Sequence, residues 1–187
     1  DFLRGLVPRC RAYVFAYLFG IKGGRLQALR ERLDREHAAS VRFYAPGGFG
    51  PKGLDAHAIG KTLGFRVENF PGSGGSVGEG ALAGELRGWS APVDPRPVVR
   101  SDGVEVLGRY VADSAPSAVG ALAGSRTTVY FADLCVSAGA LRRVFAEVGK
   151  HIRESSGAVV YSDADALAVH AGTEGYGTAQ APDGQTL

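Results

Sequence analysis

Residues Val41–Gly50, VRFYAPGGFG, join a run of strand-forming residues directly to a turn that contains proline and three glycines. The first half predicts a β-strand, and Pro46, Gly47 and Gly48 end that strand in a sharp bend. A nucleophile elbow places a Ser or Cys on such a bend between a strand and a helix. This bend carries neither, so the sequence indicates a domain without covalent catalysis at this position.

Strand and helix patterns alternate on both sides of the bend. The apolar run Ala12–Phe19 is typical of a strand buried on both faces of a parallel sheet. Asp55 is suited to cap the second helix and Gly64 to end it. The alternation predicts a flavodoxin-like, doubly wound, mostly parallel sheet in a three-layer αβα arrangement. The predicted elements are, in order, strand Ala12–Phe19, helix Arg25–Ala38, strand Val41–Ala45, helix Asp55–Leu63 and strand Phe65–Asn69.

The second half of the chain follows a different pattern. Residues 71–98 are rich in Gly, Ser, Ala and Pro, which predicts a long surface loop. Closely spaced strands then favour antiparallel hairpins added to the sheet. Ser137 is suited to cap a helix that ends near Gly149, and residues 176–187 are expected to fray. The predicted strands are Val104–Val111, Ala118–Leu122, Thr127–Ala132, Val159–Tyr161 and Ala166–Ala171.

The composition is that of one ordinary globular domain of 187 residues. The 21 basic and 19 acidic residues give a net charge of +2, which does not indicate nucleic-acid binding. The longest apolar run is too short to span a membrane. Cys10 and Cys135 are expected to be buried free thiols. The chain begins with Asp1 and contains no methionine, so a fragment of a longer protein is expected.

Two glycine-containing segments resemble nucleotide-binding motifs without their context. Gly60-Lys61-Thr62 lies inside a predicted helix, and the first glycine of a phosphate loop is replaced by Asp55. Residues 78–83, GEGALA, are flanked by further Gly and Ser rather than by a strand and a helix. The four histidines lack the spacing of metal ligands. The sequence therefore predicts no cofactor and no metal.

The order and spacing of these segments resemble the amidotransferase-like domain that follows the catalytic barrel in family 42 β-galactosidases, where it is called the trimerisation domain. The resemblance extends over residues 1–175, although the family domain begins with one more strand and helix before the region matching Asp1. The matching segments are Tyr13–Phe19, Arg42–Gly47, Leu63–Phe65, Glu105–Tyr110, Thr128–Tyr130, Leu141–Phe145, Val159–Ser162 and Leu167–Ala171.

The resemblance implies a scaffold or oligomerisation role, and it does not imply catalysis by this chain. Class I amidotransferases carry Cys at the elbow and a later His-x-Glu pair, whereas this chain has Gly47 and Gly48 at the elbow. Glutaminase activity is therefore not expected. The implied partner is the catalytic barrel of the same or a neighbouring subunit, in a homo-oligomer that would be a trimer. The parent protein would be a glycoside hydrolase, and its compartment stays open.

Two alternatives use the same edge of the sheet. A carbohydrate- or small-molecule-binding module would bind its ligand at the bend, where α/β folds place ligands. Its candidate residues are Tyr44, Gly47, Gly48, Phe49 and Trp89, the aromatic ones stacking on a sugar ring. A remnant enzyme would instead use His170 or Asp133 at a strand end.

Overall fold

The computed structural model describes residues 2–51, 53–86, 93–100, 102–123, 126–134, 136–147, 159–162 and 167–170. Contacts divide the chain into two units, Asp1–Val144 and Phe145–Leu187. The bend and its neighbours all belong to the first unit.

The described residues form three α-helices, one short 3-10 helix and twelve strands. The helices are α1 (Gly23–Glu36), α2 (Ala56–Leu63) and α3 (Ala138–Glu147), and the 3-10 helix is Gly80–Leu82. The strands of the first half are β1 (Ala12–Phe15), β2 (Ala39–Phe43), β3 (Phe49–Gly50), β4 (Gly53–Leu54), β5 (Val67–Phe70) and β6 (Ser76–Gly78). The later strands are β7 (Arg96–Val99), β8 (Glu105–Tyr110), β9 (Pro116–Ala123), β10 (Arg126–Phe131), β11 (Val159–Ser162) and β12 (Leu167–His170).

The main sheet has six described strands in the order β1-β2-β10-β9-β8-β6. The pairs β1–β2 and β2–β10 are parallel, and the pairs β10–β9, β9–β8 and β8–β6 are antiparallel. The α/β class and the added antiparallel hairpins are confirmed. The sheet is nevertheless mixed rather than mostly parallel, because the short connections from β8 to β9 and from β9 to β10 permit only antiparallel neighbours.

Two predictions about individual strands are wrong. Strand β5 does not extend the parallel sheet but pairs antiparallel with β7 in a separate two-stranded sheet, and β10 lies beside β2 instead. Strand β1 is the outermost described strand of its sheet, and Val14 is 47% exposed rather than buried. Apolar periodicity identifies a strand without identifying its partner or its position in the sheet.

Helices α1 and α2 cover one face of the main sheet. Tyr13, on that face of β1, belongs to a buried cluster with Leu26, Leu29 and Leu33 of α1. Arg42 of β2 lies fully buried and donates a hydrogen bond to the Thr62 carbonyl of α2, at 2.6 Å. Both helices therefore pack on the side chains that alternate toward one side of the strands.

Helix α2 has the termini that the sequence predicts. The Asp55 carboxylate accepts a hydrogen bond from the Ala58 amide at 3.1 Å, and Gly64 ends the helix with φ of 94°. Gly60, Lys61 and Thr62 lie within α2, as the sequence predicts, and not in a loop before a helix.

The start of α3 lies on the opposite face of the sheet. Phe43 and Phe131 project from that face and stack with ring centroids 5.7 Å apart. Ser137, directly before α3, lines a cavity together with Phe131. Its hydroxyl accepts a hydrogen bond from the Ala140 amide at 3.0 Å, which confirms the predicted helix cap.

The described residues of the predicted loop, 71–86 and 93–98, contain regular structure. They include β6, the 3-10 helix and the start of β7, and Leu82 and Leu86 among them are buried. Gly78 of β6 pairs with Gly108 of β8. A Cβ atom on Gly78 would overlap the Leu82 carbonyl oxygen and lie 2.6 Å from the Leu82 carbonyl carbon. Close backbone packing, rather than flexibility, therefore explains this glycine.

The second unit contains a hairpin in which β11 pairs antiparallel with β12, as the sequence predicts. The expected fraying of residues 176–187 falls outside the described residues, and so does the burial of Cys135.

Cys10, by contrast, is exposed, so its predicted burial is wrong. Its neighbours Arg9 and Arg11 are exposed as well and keep this segment at the surface.

Buried polar groups fix the N-terminal segment to α1. Arg32 donates to the carbonyl oxygens of Phe2 and Val7 and to the Glu36 carboxylate. The Tyr13 hydroxyl also donates to Glu36. Burial alone would raise the pKa of the Glu36 carboxyl, but the hydrogen bonds from Tyr13 and Arg32 outweigh it and lower this pKa below the usual value of 4.5.

Replacement of Glu36 by glutamine should therefore destabilise the fold in a pH-dependent way. A carboxylate with a lowered pKa in the folded state stabilises that state above its unfolded pKa and loses this effect as pH falls through the folded pKa. In urea unfolding at neutral pH, the midpoint of Glu36→Gln should lie at a lower urea concentration than that of wild type. The two midpoints should converge under acidic conditions. Glu31→Gln, an exposed control on the same helix, should show only a small difference. A gap between Glu36→Gln and wild type that stays constant with pH would contradict the assignment.

Candidate functional site

The bend after β2 begins at Tyr44, whose φ of 51° lies in the left-handed region. Non-glycine residues rarely adopt this conformation, and such residues cluster at functional sites. The Tyr44 amide donates to the Phe131 carbonyl at 2.7 Å, and the Tyr130 hydroxyl donates to the Tyr44 carbonyl at 2.5 Å. Two hydrogen bonds to β10 thus hold the bend at the carboxyl edge of the parallel strands.

The two predicted glycines bring α2 against the bend. Gly47 has φ of 72°, and a Cβ there would overlap Thr62 Oγ1; a Cβ on Gly48 would overlap Ile59 Cγ1. Both backbone amides are bonded within the protein. Gly47 donates to the Leu18 carbonyl at 2.8 Å and Gly48 to the Ala45 carbonyl at 3.0 Å. Neither amide is therefore free to donate to a substrate oxygen, as the donors of an oxyanion hole must do.

Four aromatic side chains form a continuous row along this edge. The ring centroids of Tyr17 and Phe19 lie 5.7 Å apart, those of Phe19 and Phe49 5.2 Å, and those of Phe49 and Tyr44 6.3 Å. The two ends of the row differ in exposure, since Tyr17 is 83% exposed and Tyr44 is buried; between them Phe19 is partly buried and Phe49 is 44% exposed. We call these four residues the aromatic row.

The structure brings together four of the five predicted ligand-binding residues. Tyr44, Gly47, Gly48 and Phe49 lie in one bend, whereas Trp89 falls outside the described residues. Of the four described residues, only Phe49 presents a substantial accessible surface. The buried Tyr44 ring places its hydroxyl 3.4 Å from the Pro95 carbonyl.

Sequence reasoning missed Tyr17 and Phe19. Both residues follow β1, which was predicted to extend through Phe19 but ends at Phe15. The parallel pairing of β1 with β2 brings the residues after each strand to the same edge of the sheet. Their position after a strand that runs parallel to β2 is the signal that would have identified them.

The described residues give little support to the alternative of a remnant enzyme that uses Asp133 or His170. Asp133 follows β10 and is buried near the same edge, whereas His170 belongs to the second unit. Among the described residues, no three His, Cys, Asp or Glu side chains come close enough to hold a metal ion. No described helix is both long and apolar enough to cross a membrane.

The buried tyrosines near the bend act as hydrogen-bond donors. Burial, and to a smaller extent the charges of neighbouring tyrosines, raise the pKa of Tyr130 well above its usual value. Burial and the charge of Asp94 likewise raise the pKa of Tyr44. Both phenols therefore remain protonated at neutral pH, which suits the Tyr130 hydrogen bond to the bend and not a nucleophilic role.

No family model matches the sequence, and no curated protein matches it. Solved structures do share the fold. A β-galactosidase from Rahnella sp. R3 superimposes on 80% of this chain with a TM-score of 0.59 and 16% sequence identity. A β-galactosidase from Bacillus circulans sp. alkalophilus superimposes on 95% of it with a TM-score of 0.62 and 17% identity. The chain covers only 25% and 30% of the lengths of these two proteins.

Proposed function

We propose that the chain is a non-catalytic scaffold or oligomerisation domain of a glycoside-hydrolase-like protein. Its fold would be the flavodoxin-like, amidotransferase-like fold of the trimerisation type. One observation carries the proposal: the likeness to the Bacillus circulans β-galactosidase spans 95% of this chain but 30% of that enzyme. A domain of that proportion leaves the larger part of such an enzyme for a separate catalytic barrel.

The chemistry of the bend supports the non-catalytic part of this proposal. At the position where an amidotransferase would carry its nucleophile, this chain has Gly47 and Gly48, and both amides already donate to backbone carbonyls. The glycines contribute to packing because α2 approaches them too closely for any side chain. The bend therefore keeps a sharp strand-to-helix geometry without a reactive atom.

The exposed end of the aromatic row supports the oligomerisation part. Tyr17 and Phe49 are both accessible, and Tyr17 follows β1, the outermost described strand of the main sheet. Aromatic side chains are enriched in protein interfaces, where they account for much of the binding energy. We place the contact with a barrel or with a neighbouring subunit on this surface, and the resemblance favours a trimer.

The proposal predicts self-association without hydrolysis. The purified chain should leave chromogenic galactosides intact and should associate with increasing concentration in analytical ultracentrifugation. Tyr17→Ser should raise the dissociation constant about tenfold or more, since it removes an interface aromatic. Val111→Ser is the matched control, because Val111 is 60% exposed and directly follows β8, which three strands separate from β1 in the sheet order. Galactoside hydrolysis by the chain, or equal effects of both substitutions, would contradict the proposal.

The aromatic row also favours a second candidate function. Exposed aromatic rings at the carboxyl edge of an α/β sheet suit a module that stacks on sugar rings. Saturable binding of oligosaccharides by the monomeric chain, weakened by Tyr17→Ala, Phe49→Ala or Trp89→Ala, would support that function. Retention of binding in all three variants would exclude the row and Trp89 as the sugar site.

A further inference from the structure

We infer that a cavity beside the starts of β6 and β9 binds a small, uncharged, polyhydroxylated molecule. The cavity has a volume of about 270 Å³, space for roughly nine water molecules. It is separate from the aromatic row, and the inference does not depend on the proposed function. Its polar lining consists of Ser76, Glu85, Ser117, Asp133 and Ser137.

Two buried serines provide the main argument. Ser117 is 1% exposed and Ser76 is 5% exposed, and both line the cavity. Neither side-chain oxygen has a hydrogen-bond partner among the described residues. A buried hydroxyl without a partner costs free energy, so native proteins normally satisfy such groups with protein, water or a ligand. These two hydroxyls therefore mark a place where a polar molecule belongs.

The charges at the cavity exclude an anion. Asp133, at the end of β10, and Glu85 both line it. The Glu85 carboxyl carbon lies 2.9 Å from where a Cβ on Gly139 would be, so this carboxylate packs against the first turn of α3. A helix N-terminus carries a partial positive charge that attracts anions, but the N-terminus of α3 already faces a carboxylate of the protein itself. A second negative charge would be repelled.

The remaining lining selects a polyol over an ammonium ion. The serine hydroxyls can donate and accept, whereas the carboxylates only accept. A ligand hydroxyl also does both, so one polyol can bond to every group, but an ammonium ion has no acceptor for the serine protons. Leu86, Phe131 and Leu134 add an apolar wall that suits the C–H face of such a molecule. The volume limits the ligand to about the size of a monosaccharide.

Isothermal titration of the chain with glycerol, sorbitol, glucose and galactose tests the inference. At least one of these should bind saturably, and Ser117→Ala and Ser76→Ala should each weaken it about tenfold, the effect of one lost hydrogen bond. Ser40→Ala is the matched control, because Ser40 is a buried serine of the same sheet whose hydroxyl already bonds to Thr128 at 3.3 Å. Without ligand, Ser117→Ala should unfold at a urea concentration no lower than that of wild type, because the hydroxyl that it removes has no protein partner.

Each other outcome overturns the inference. Tighter binding of ethanolamine than of any polyol would replace the ligand class by a cation. Equal weakening by Ser40→Ala would show that the variants act through the fold rather than through the cavity. If nothing in the panel binds at millimolar concentration, the two hydroxyls are satisfied by water alone and the cavity is not a site.

Discussion

Alanine at position 47 should lower the free energy of unfolding by about 2–4 kcal/mol, from the combined costs of left-handed strain and overpacking. Gly47 has φ of 72°, and its Cβ would overlap Thr62 Oγ1 and lie 3.1 Å from the Ile21 carbonyl oxygen. The bend, α2 and the segment after β1 would all have to shift. Urea unfolding monitored by tryptophan fluorescence and circular dichroism measures the change.

Gly64→Ala separates the two contributions. Gly64 has φ of 94°, but nothing lies within 4 Å of its added Cβ, so this variant carries the strain without the clash. We expect it to cost about 1 kcal/mol. If Gly47→Ala were no worse than Gly64→Ala, the close packing of α2 against the bend would be incorrect.

Alanine at position 78 should destabilise by about 3 kcal/mol or more, since overpacking of this degree forces the backbone to move. Its Cβ would overlap the Leu82 carbonyl oxygen and approach the Ala83 amide at 3.3 Å. Both obstacles are backbone atoms, which cannot be relieved by a change of rotamer. The expected result is a lower unfolding midpoint and loss of the β6–β8 pairing.

The same substitution distinguishes the structure from the sequence prediction for residues 71–98. In a flexible loop, Gly→Ala restricts the unfolded chain and is neutral or slightly stabilising. Gly24→Ala provides the reference, because Gly24 lies in α1 with open space around its added Cβ. That variant should gain about 0.5–1 kcal/mol from helix propensity. A Gly78→Ala variant that behaves like Gly24→Ala would support the loop interpretation and contradict the close packing at Gly78.

Local features were predictable because local chemistry determines them. Asp55, Gly64 and Ser137 cap helices through hydrogen bonds or backbone conformations that involve residues within four positions. The antiparallel strands β8, β9 and β10 follow from their short connections. The pairing of β2 with β10 did not follow, since residues 88 positions apart meet there and nothing in either strand specifies the other.

The candidate site was predictable only in part for the same reason. The turn residues identified the bend, but the left-handed Tyr44 is held by hydrogen bonds to Phe131 and from Tyr130, both distant in the chain. The aromatic row likewise depends on the position of β1 beside β2. The difference in exposure between Tyr17, which is exposed, and Tyr44, which is buried, comes from tertiary packing and not from residue type.

The pairing of β2 with β10 also affects how the chain folds during synthesis. Ser40 leaves the ribosome well before Thr128, which lies 88 positions later in the chain, and synthesis of that length takes roughly 4–18 seconds. Throughout this interval one side of β2 has no neighbour, although Val41 is almost fully buried in the finished protein. An open strand edge of this kind pairs readily with other chains. Nascent molecules are therefore most prone to aggregate before β10 emerges, and slower translation of residues 44–126 would lengthen that period.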